Sequence, residues 1–398
     1  MKQGVNAVIL NEKEEVLLLR RADGKFKGCL TMPGGKVEPG ETLSEAMIRE
    51  VKEETNLDVI GHQFINKFYF PKIDVEVGIF FAQTSGTIDL DLRESSEYFY
   101  IKPSKENVDK YFDQFENHSP EVIHDIFNSV NFFLKSRKKL LNLSNQSNVF
   151  FTDRGNRSIN LALKLAKNLG KTKAFIQDQG GWITYEQYLK KIKFDYHFLD
   201  TDYGVVSLDI IKKHIDSDSV LLINSMPGYF AVQDNMDKVA KLCREKGCLL
   251  INDVAGSIGT EQAKYGDIII GSFGRWKPLN LEYGGFISFN EKEYSKFLSN
   301  NFDKELKEFY PELLKQLNGL DKRREAFLAV SKKIKTQLSQ YDVIHKDHLG
   351  YNVIVRYSSP KEKLDIMNYC KLYNYEYTLC PRYIRVMDDA ISIEVKRL

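Results

Sequence analysis

The sequence predicts a two-part α/β and α+β protein: a compact α+β front, a longer α/β body on a parallel sheet, and a small α+β lobe at the end. Three observations carry this. The chain has 398 residues, enough for two or three domains of ordinary size. Its 42% hydrophobic and 28% charged residues match folded proteins, so disorder and fibrous repeats are excluded as descriptions of the whole. Near residue 149 the pattern of apolar runs changes from mixed strands and helices to short apolar strands alternating with amphipathic helices.

Taken in order, residues 5–20 place two apolar runs, VNAVIL and VLLL, around the polar NEKEE and read as a β-hairpin. A loop containing Gly34-Gly35 leads to a helix-period stretch over about 43–55, and strand-like runs follow at 64–70 and 75–83. The α+β domain closes near residue 103. Ser119-Pro120-Glu121 has the N-cap and first-turn proline signature of a helix whose apolar positions are Val122, Ile123, Ile126, Phe127 and Val130. The Asn/Ser-rich NLSNQSN at 142–148 reads as a linker. The expected boundaries are therefore a first domain over 1–140, a linker over 141–148, a large domain over 149–317 and a small lobe over 318–398. Within the large domain, VLLIN (220–224), a helix over about 234–246, CLLIN (248–252) and DIIIG (267–271) have the strand and crossover pattern of a parallel sheet covered on both faces. The lobe begins with the charged helix DKRREAFLAVSKKIKTQL and continues through YNVIVRYS, a second helix and ISIEVKRL.

The net charge is +2, with 19 basic against 23 acidic residues over 1–140 and 38 against 32 over the rest. Neither part has the concentrated basic stripe of a duplex-binding protein, so no nucleic-acid partner is expected. Cys29, Cys243, Cys248, Cys370 and Cys380 include no C-x-x-C pair and have no histidine at zinc-finger spacing, and they read as reduced thiols of a cytoplasmic protein. His118, His124, His197, His214 and His345 likewise suggest no metal site. No signal peptide or membrane span is expected, and no G-x-S-x-G elbow or P-loop is present.

Chemistry first concentrates at residues 35–57. On one helix, Glu50, Glu53 and Glu54 stand three and four positions apart and project from one face. Three like charges destabilise a bare helix, and hard carboxylate oxygens suit Mg²⁺ or Mn²⁺, which can bridge to phosphate oxygens. Glu41 and Arg49 can pair and hold the preceding loop against the helix. A solvated acidic helix face is the plain alternative, and it leaves the Gly-Gly loop and the Glu41/Arg49 spacing unexplained.

The stretch resembles the Nudix box, G-x5-E-x7-R-E-U-x-E-E-x-G-U, with Asn56 in place of the last glycine. Asn tolerates the left-handed conformation of a helix end, so the turn is expected to survive. The resemblance implies a Nudix α/β/α sandwich that hydrolyses a nucleoside diphosphate linked to another moiety, X. Glu53 and Glu54 would be the catalytic residues and principal metal ligands, with Glu50 a further ligand and the Gly35 carbonyl a possible one. Glu94 and Glu97 are candidates for a supporting ligand or general base. Pro71 lies fifteen positions after Asn56, where a proline accompanies ADP-ribose preference in some Nudix enzymes, and the substrate stays open.

A second concentration follows two predicted strands: Asp253 after CLLIN and Lys277 after DIIIGSFGRW, both beyond carboxyl ends, where open α/β sheets bind ligands. With the D-x-A-x-x-x-G step, the S-F-x-x-x-K step and the following Gly-Gly, the region 220–290 resembles fold-type I pyridoxal-phosphate enzymes, and within them the DegT-type aminotransferases. The resemblance implies pyridoxal 5′-phosphate attached at Lys277, with Asp253 on the pyridine nitrogen. Gly155, Asn156, Arg157 and Ser158 at a helix start would receive the phosphate, helped by Ser272. Trp182 would stack on the ring, and Gly284-Gly285 would let the chain turn close to it.

The same resemblance implies a homodimer and the aspartate-aminotransferase-like fold, with the lobe as its small domain. Departures are Asn156 where the family has Thr, Pro278 after the lysine, and a shortened small lobe. Arg382 and Arg385 could hold a substrate carboxylate, although the surface reading is favoured. Nucleotide sugars are one substrate class that would suit both parts. Two further readings remain: a Nudix hydrolase joined to a binding or regulatory module, and a ligand-sensing protein in which neither part turns over.

Overall fold

The computed structural model describes residues 2–24, 26–111, 114, 120–301 and 305–398. Ser119 of the expected helix cap and His118 lie outside the described residues. The chain divides into two compact units, one of 1–138 with 291–314 and the other of 139–290 with 315–398.

The first unit opens with β1 (Lys2–Ile9), β2 (Val16–Arg21), β3 (Leu30–Thr31) and α1 (Leu43–Thr55). It continues through β4 (Asp58–Phe70), β5 (Val75–Ser85), β6 (Ser95–Ile101), α2 (Lys105–Tyr111) and α3 (Pro120–Ser144). One sheet has the order β1-β5-β4, with β1 parallel and β4 antiparallel to β5; the other has the order β3-β2-β6. The hairpin expected over 5–20 is therefore not a hairpin within a sheet. An antiparallel bridge joins Leu10 to Val16 around the turn, but β1 then pairs with β5 while β2 pairs with β3 and β6. Successive strand residues face opposite sides, which explains the helix layers. Phe80 on β5 joins the core formed with Ala46, Met47 and Val51 of α1. Its neighbour Phe81 meets Phe133 of α3, the ring centroids 5.4 Å apart. The result is the α/β/α sandwich.

The stretch expected as a linker is mostly ordered structure. α3 runs to Ser144, Asn145 turns the chain with φ 52°, and β7 (Asn148–Thr152) begins three residues later. Then come α4 (Gly155–Asn168), β8 (Lys173–Gln177), α5 (Thr184–Lys191), β9 (Asp195–Leu199), α6 (Leu208–His214) and β10 (Ser219–Asn224). After these follow α7 (Met236–Lys246), β11 (Leu249–Asp253), β12 (Ile268–Ser272) and β13 (Gly285–Phe289). The seven-stranded sheet has the order β7-β13-β12-β11-β10-β8-β9 and is parallel except at β13, which runs antiparallel to both neighbours.

Next come α8 (Glu293–Asn301), α9 (Tyr310–Asn318), α10 (Leu320–Gln337), β14 (Asp342–Val343), β15 (Val353–Arg356), α11 (Pro360–Leu372), β16 (Tyr377–Leu379) and β17 (Ala390–Ile393). The lobe is an antiparallel sheet in the order β14-β15-β17-β16, with α10 packed on β15 and α11 on β17. The boundaries expected at 140 and 317 do not capture α8, which belongs to the first unit. Among the described residues no helix is long and apolar enough to cross a membrane.

Candidate functional site

Helix α1 begins with a capping box: Thr42 Oγ1 accepts from Glu45 N at 3.2 Å, and Glu45 Oε2 accepts from Thr42 N at 2.8 Å. It ends at Asn56, left-handed with φ 58°, as the box requires. Arg49 then organises the loop before the helix. Its Nε and Nη2 donate to the two oxygens of Glu41 at 2.7 and 3.0 Å, and Nη2 also donates to the Lys36 carbonyl at 3.0 Å. These bonds hold the Glu41 carboxyl at about 2.

Gly34 and Gly35 fit where a side chain does not. Gly34 has φ 151°, and a Cβ there would collide with the Val5 carbonyl oxygen; one on Gly35 would collide with the Glu50 carboxylate. Gly34 N donates to Glu54 Oε2 at 2.8 Å. Burial pushes the Glu54 carboxyl up to about 8 against that bond, and the neighbouring charges of Glu50 and Glu94 push the same way. Glu50 is likewise raised, first by burial.

A cavity of about 710 Å³ opens here, bounded by Gly34, Gly35, Glu50, Glu54 and Glu94 on one side and by apolar Phe26, Phe70, Ile73, Ile126 and Phe127 elsewhere. Glu53 is instead exposed and accepts from Arg49 Nη1 at 2.9 Å, while Glu50 accepts from the same nitrogen at 3.0 Å. The Gly35 carbonyl accepts from Val5 N at 2.9 Å. Among the described residues, no three carboxylate, imidazole or thiolate side chains converge closely enough to hold a metal ion. Glu97 pairs with Arg20 at 2.5 Å, and Pro71 is exposed; neither lines the cavity.

In the second unit a cavity of about 350 Å³ gathers Gly155, Asn156, Trp182, Asp253, Ser272 and Lys277. Asp253, at the end of β11, is buried; its Oδ2 accepts from Tyr185 Oη at 2.5 Å and its Oδ1 from Ala255 N at 2.9 Å. Burial pushes its carboxyl up, while both hydrogen bonds and the charge of Lys277 oppose that rise. Lys277 Nζ donates to Tyr229 Oη and stands 5.2 Å from the centroid of the Trp182 ring. Trp182 Nε1 donates to Asn156 Oδ1 at 2.8 Å, so the residue standing where the family has Thr fixes the indole.

At the start of α4, Arg154 provides no side-chain cap, which leaves the positive helix end open to an anion. A Cβ on Gly155 would lie 2.5 Å from that of Ser272, and one on Gly285 would lie 2.8 Å from Gly155 N, so glycine alone permits this approach. Arg157 and Ser158 are not brought to the cavity; Ser158 Oγ bonds Thr152 Oγ1 at 2.8 Å. Arg382 lines the cavity and is exposed, but Arg385 is buried against Glu394, contrary to the surface expected for it. The sequence also left Tyr185, Tyr229, Trp276 and Lys396 unassigned. Tyr229 and Lys396 belong to short apolar or charged runs that carry no motif.

Three family models match successive stretches of the chain. The NUDIX domain model matches residues 1–122, the DegT/DnrJ/EryC1/StrS aminotransferase family model matches 135–302, and the MJ1341 family C-terminal domain model matches 321–398. The Bacillus subtilis (strain 168) protein named "Putative 8-oxo-dGTP diphosphatase" is 33% identical over 104 residues, which span 26% of this chain and 68% of that one. The ADP-ribose pyrophosphatase of Methanocaldococcus jannaschii is 51% identical over 49 residues, 12% of this chain and 29% of its own length. The crystal structure of NtdA from Bacillus subtilis with bound cofactor PMP superposes with a TM-score of 0.52 at 16% identity, covering 67% of this chain and 73% of that one. The chain therefore belongs to the Nudix family through its first domain and carries behind it a domain of the DegT-type aminotransferase family.

Proposed function

We propose that the first domain is a metal-dependent pyrophosphohydrolase of a nucleoside diphosphate linked to X, and that the second is a pyridoxal-phosphate-dependent, aminotransferase-like domain. The first reading rests on hard oxygen donors beside an apolar cavity: the charges of Glu50 and Glu94 push the Glu54 carboxyl up, and that of Glu94 pushes Glu50 the same way. That donor set fits Mg²⁺ or Mn²⁺. Glu50, Glu53, Glu54 and the Gly35 carbonyl would hold the cation, which when bound polarises the diphosphate and activates water. Arg49 and Glu41 fix the loop that carries Gly35, and Glu50 and Glu53, both hydrogen-bonded to Arg49 Nη1, would have to turn from it to hold the cation. Phe26, Phe70 and Phe127 offer the base an apolar wall. The named relatives are an 8-oxo-dGTP diphosphatase and an ADP-ribose pyrophosphatase, and they favour a nucleotide substrate.

The second reading rests on the convergence of Lys277, Asp253, Trp182, Ser272 and the open end of α4 in one cavity. The glycine cradle at Gly155 and Gly285 fits a phosphate-bearing planar cofactor. Lys277 and Asp253 would hold its two reactive ends, and the group supplies an electron sink when bound. Tyr229, hydrogen-bonded to Lys277, holds that amine toward the cavity and can take or return its proton. Tyr185 and the Ala255 amide keep Asp253 oriented. Nucleotide-linked sugars are the substrate class shared by both parts, and a homodimer in a cytoplasmic setting completes the proposal.

Two measurements test it. Conversion of 8-oxo-dGTP to 8-oxo-dGMP and pyrophosphate, and of ADP-ribose to AMP and ribose 5-phosphate, is expected to require Mg²⁺ or Mn²⁺ and to fall at least about hundredfold in Glu54→Gln, which keeps an acceptor for Gly34 N. Activity unchanged in that variant overturns the first reading. Added pyridoxal phosphate is expected to give a visible absorption band that borohydride fixes in the wild type and that is absent in Lys277→Ala. A folded, colourless wild type makes the second domain a binding module.

A further inference from the structure

Tyr229 belongs by sequence to the large domain and by packing to the lobe. It follows β10 in the turn Pro227-Gly228-Tyr229-Phe230, closed by Phe230 N donating to the Pro227 carbonyl at 3.2 Å. Both central residues are left-handed, Gly228 with φ 56° and Tyr229 with φ 66°. Glycine adopts that conformation freely, but a tyrosine enters it against its own side chain and stays only where its surroundings hold it.

The lobe supplies that hold. Tyr351 N and Asn352 N, just before β15, both donate to the Tyr229 carbonyl, at 2.7 and 2.8 Å, and Asn352 Nδ2 donates to the Gly228 carbonyl at 3.3 Å. The Tyr229 ring is buried in the lobe's own core, with Phe327, Tyr351 and Val353. A Cβ on Gly350 would lie 2.1 Å from the Phe230 carbonyl oxygen, so the two chain segments meet with no room for a methyl between them. The phenol oxygen reaches the cavity, where it accepts from Lys277 Nζ, the one hydrogen bond that this amine makes among the described residues. One side chain thus spans from the lobe's backbone to the lysine.

We propose that Tyr229 is the positioning residue of Lys277 and that the lobe sets its pose, so that the placement of the lobe decides where the Lys277 amine stands. This rests on reading that cavity as the cofactor site. A lysine amine rides on a flexible four-carbon stem, and a single bond to a rigid, anchored phenol removes much of that freedom before the cofactor arrives. On loading, the ammonium gives one proton to solvent, its nitrogen bonds to the cofactor's aldehyde carbon, and the carbonyl oxygen leaves as water with the other two hydrogens. An amine held in place reaches that carbon sooner. The ring also stands 4.7 Å from Lys277 Nζ and 4.5 Å from Lys396 Nζ, so Tyr229→Phe keeps the aromatic surface beside both amines and removes the oxygen alone.

The test is the rate at which the full chain develops its visible band after mixing with pyridoxal phosphate, measured over a range of cofactor concentrations. The half-saturating concentration reports capture of the cofactor before the bond forms, and the limiting rate reports the amine. Tyr229→Phe is expected to lower the limiting rate at least about tenfold and to leave the half-saturating concentration unchanged, a split that a merely structural role does not produce. Gly350→Ala, whose methyl drives the lobe segment from Phe230, is expected to lower the limiting rate too, and to do nothing further in the Tyr229→Phe background, since the lobe acts through that oxygen. An unchanged limiting rate in Tyr229→Phe overturns the proposal. If the half-saturating concentration rises instead, Tyr229 holds the cofactor, and the proposal falls. Effects that multiply in full in the double variant overturn the part assigned to the lobe. If Gly350→Ala does not fold, Asn352→Ala, which removes the side-chain bonds to the Gly228 carbonyl and to Glu394, takes its place in the same cycle, and a limiting rate equal to that of the wild type overturns that part. A wild type that shows no band fails the underlying reading, which is a different result from a banded protein whose limiting rate ignores Tyr229.

Discussion

Glu394 has a fully buried side chain and accepts from five groups, two of them on Arg385. Burial alone would raise its carboxyl, but the Arg385 hydrogen bonds and the charges of Arg385, Lys396 and Arg397 outweigh burial and hold it at about 2. The folded value lies below the ordinary 4.5, so the stabilisation is present above that pH and is lost as pH falls from 4.5 toward 2. Glu394→Gln leaves Arg385 buried without its countercharge and is expected to cost about 3–5 kcal/mol at neutral pH. Urea melts at pH 3 and pH 7 check this: the wild type should lose more stability between them than the variant does, and equal losses would show that the pair carries no such load. The neighbourhood also shows what a sequence conveys about single residues. Arg49 and Glu50 were legible from helix spacing along α1, and Glu41 from its distance before Arg49, which lets the two pair across the loop ahead of the helix. Lys396 was not, since E-V-K-R-L reads as solvated charge, and only packing of the lobe turns it inward.

At the scale of elements, strands and helices with local causes were readable and partnerships were not. The stretch expected over 43–55 is α1, fixed by its periodicity and its left-handed end at Asn56. The VNAVIL and VLLL runs are strands too, but strand pairing is non-local, and β1 found β5 about seventy residues away by register, Val5 opposite Gly78. A second non-local pairing closes the open edge of the same sheet. β4 is an edge strand, and α8 lies along it with Ser295 and Ser299 facing Gly61 and His62. His62 N donates to Ser299 Oγ at 2.8 Å. That hydroxyl's single proton goes either to the His62 carbonyl at 3.0 Å or to the Ser295 carbonyl at 2.8 Å. Ser299→Ala removes the acceptor of a part-buried edge amide and is expected to cost about 1–2 kcal/mol. Denaturant midpoints measure the loss, and hydrogen exchange locates it: the His62 amide should exchange faster in the variant, and an unchanged rate would mean that the amide finds its partner elsewhere.

For the whole molecule, the order of the chain and the composition of its units differ. The chain completes the first unit through residue 138, leaves to build most of the second, returns for 291–314, and leaves again. Family similarity along the sequence does not reveal this, since the aminotransferase family match runs through residue 302 and includes α8. Helix periodicity in EYSKFLSNN says that a helix forms, and nothing in it names the sheet it joins. A fragment ending at residue 140 therefore contains the whole Nudix box but lacks the segment that covers β4. Unpaired strand edges template association with other chains, and loss of α8 also exposes Gly61 and the apolar positions around it. The fragment is expected to melt lower than the first unit does within the full chain and to self-associate at micromolar concentration, as light scattering after gel filtration would record. Adding residues 291–314 through a flexible linker should restore a monomer and raise the melting temperature, since the strand edge regains the partner it has in the full chain. A monomeric 1–140 fragment with undiminished stability would show that α8 rests on the sheet without supporting it, and the first domain would then be independent of the chain that follows.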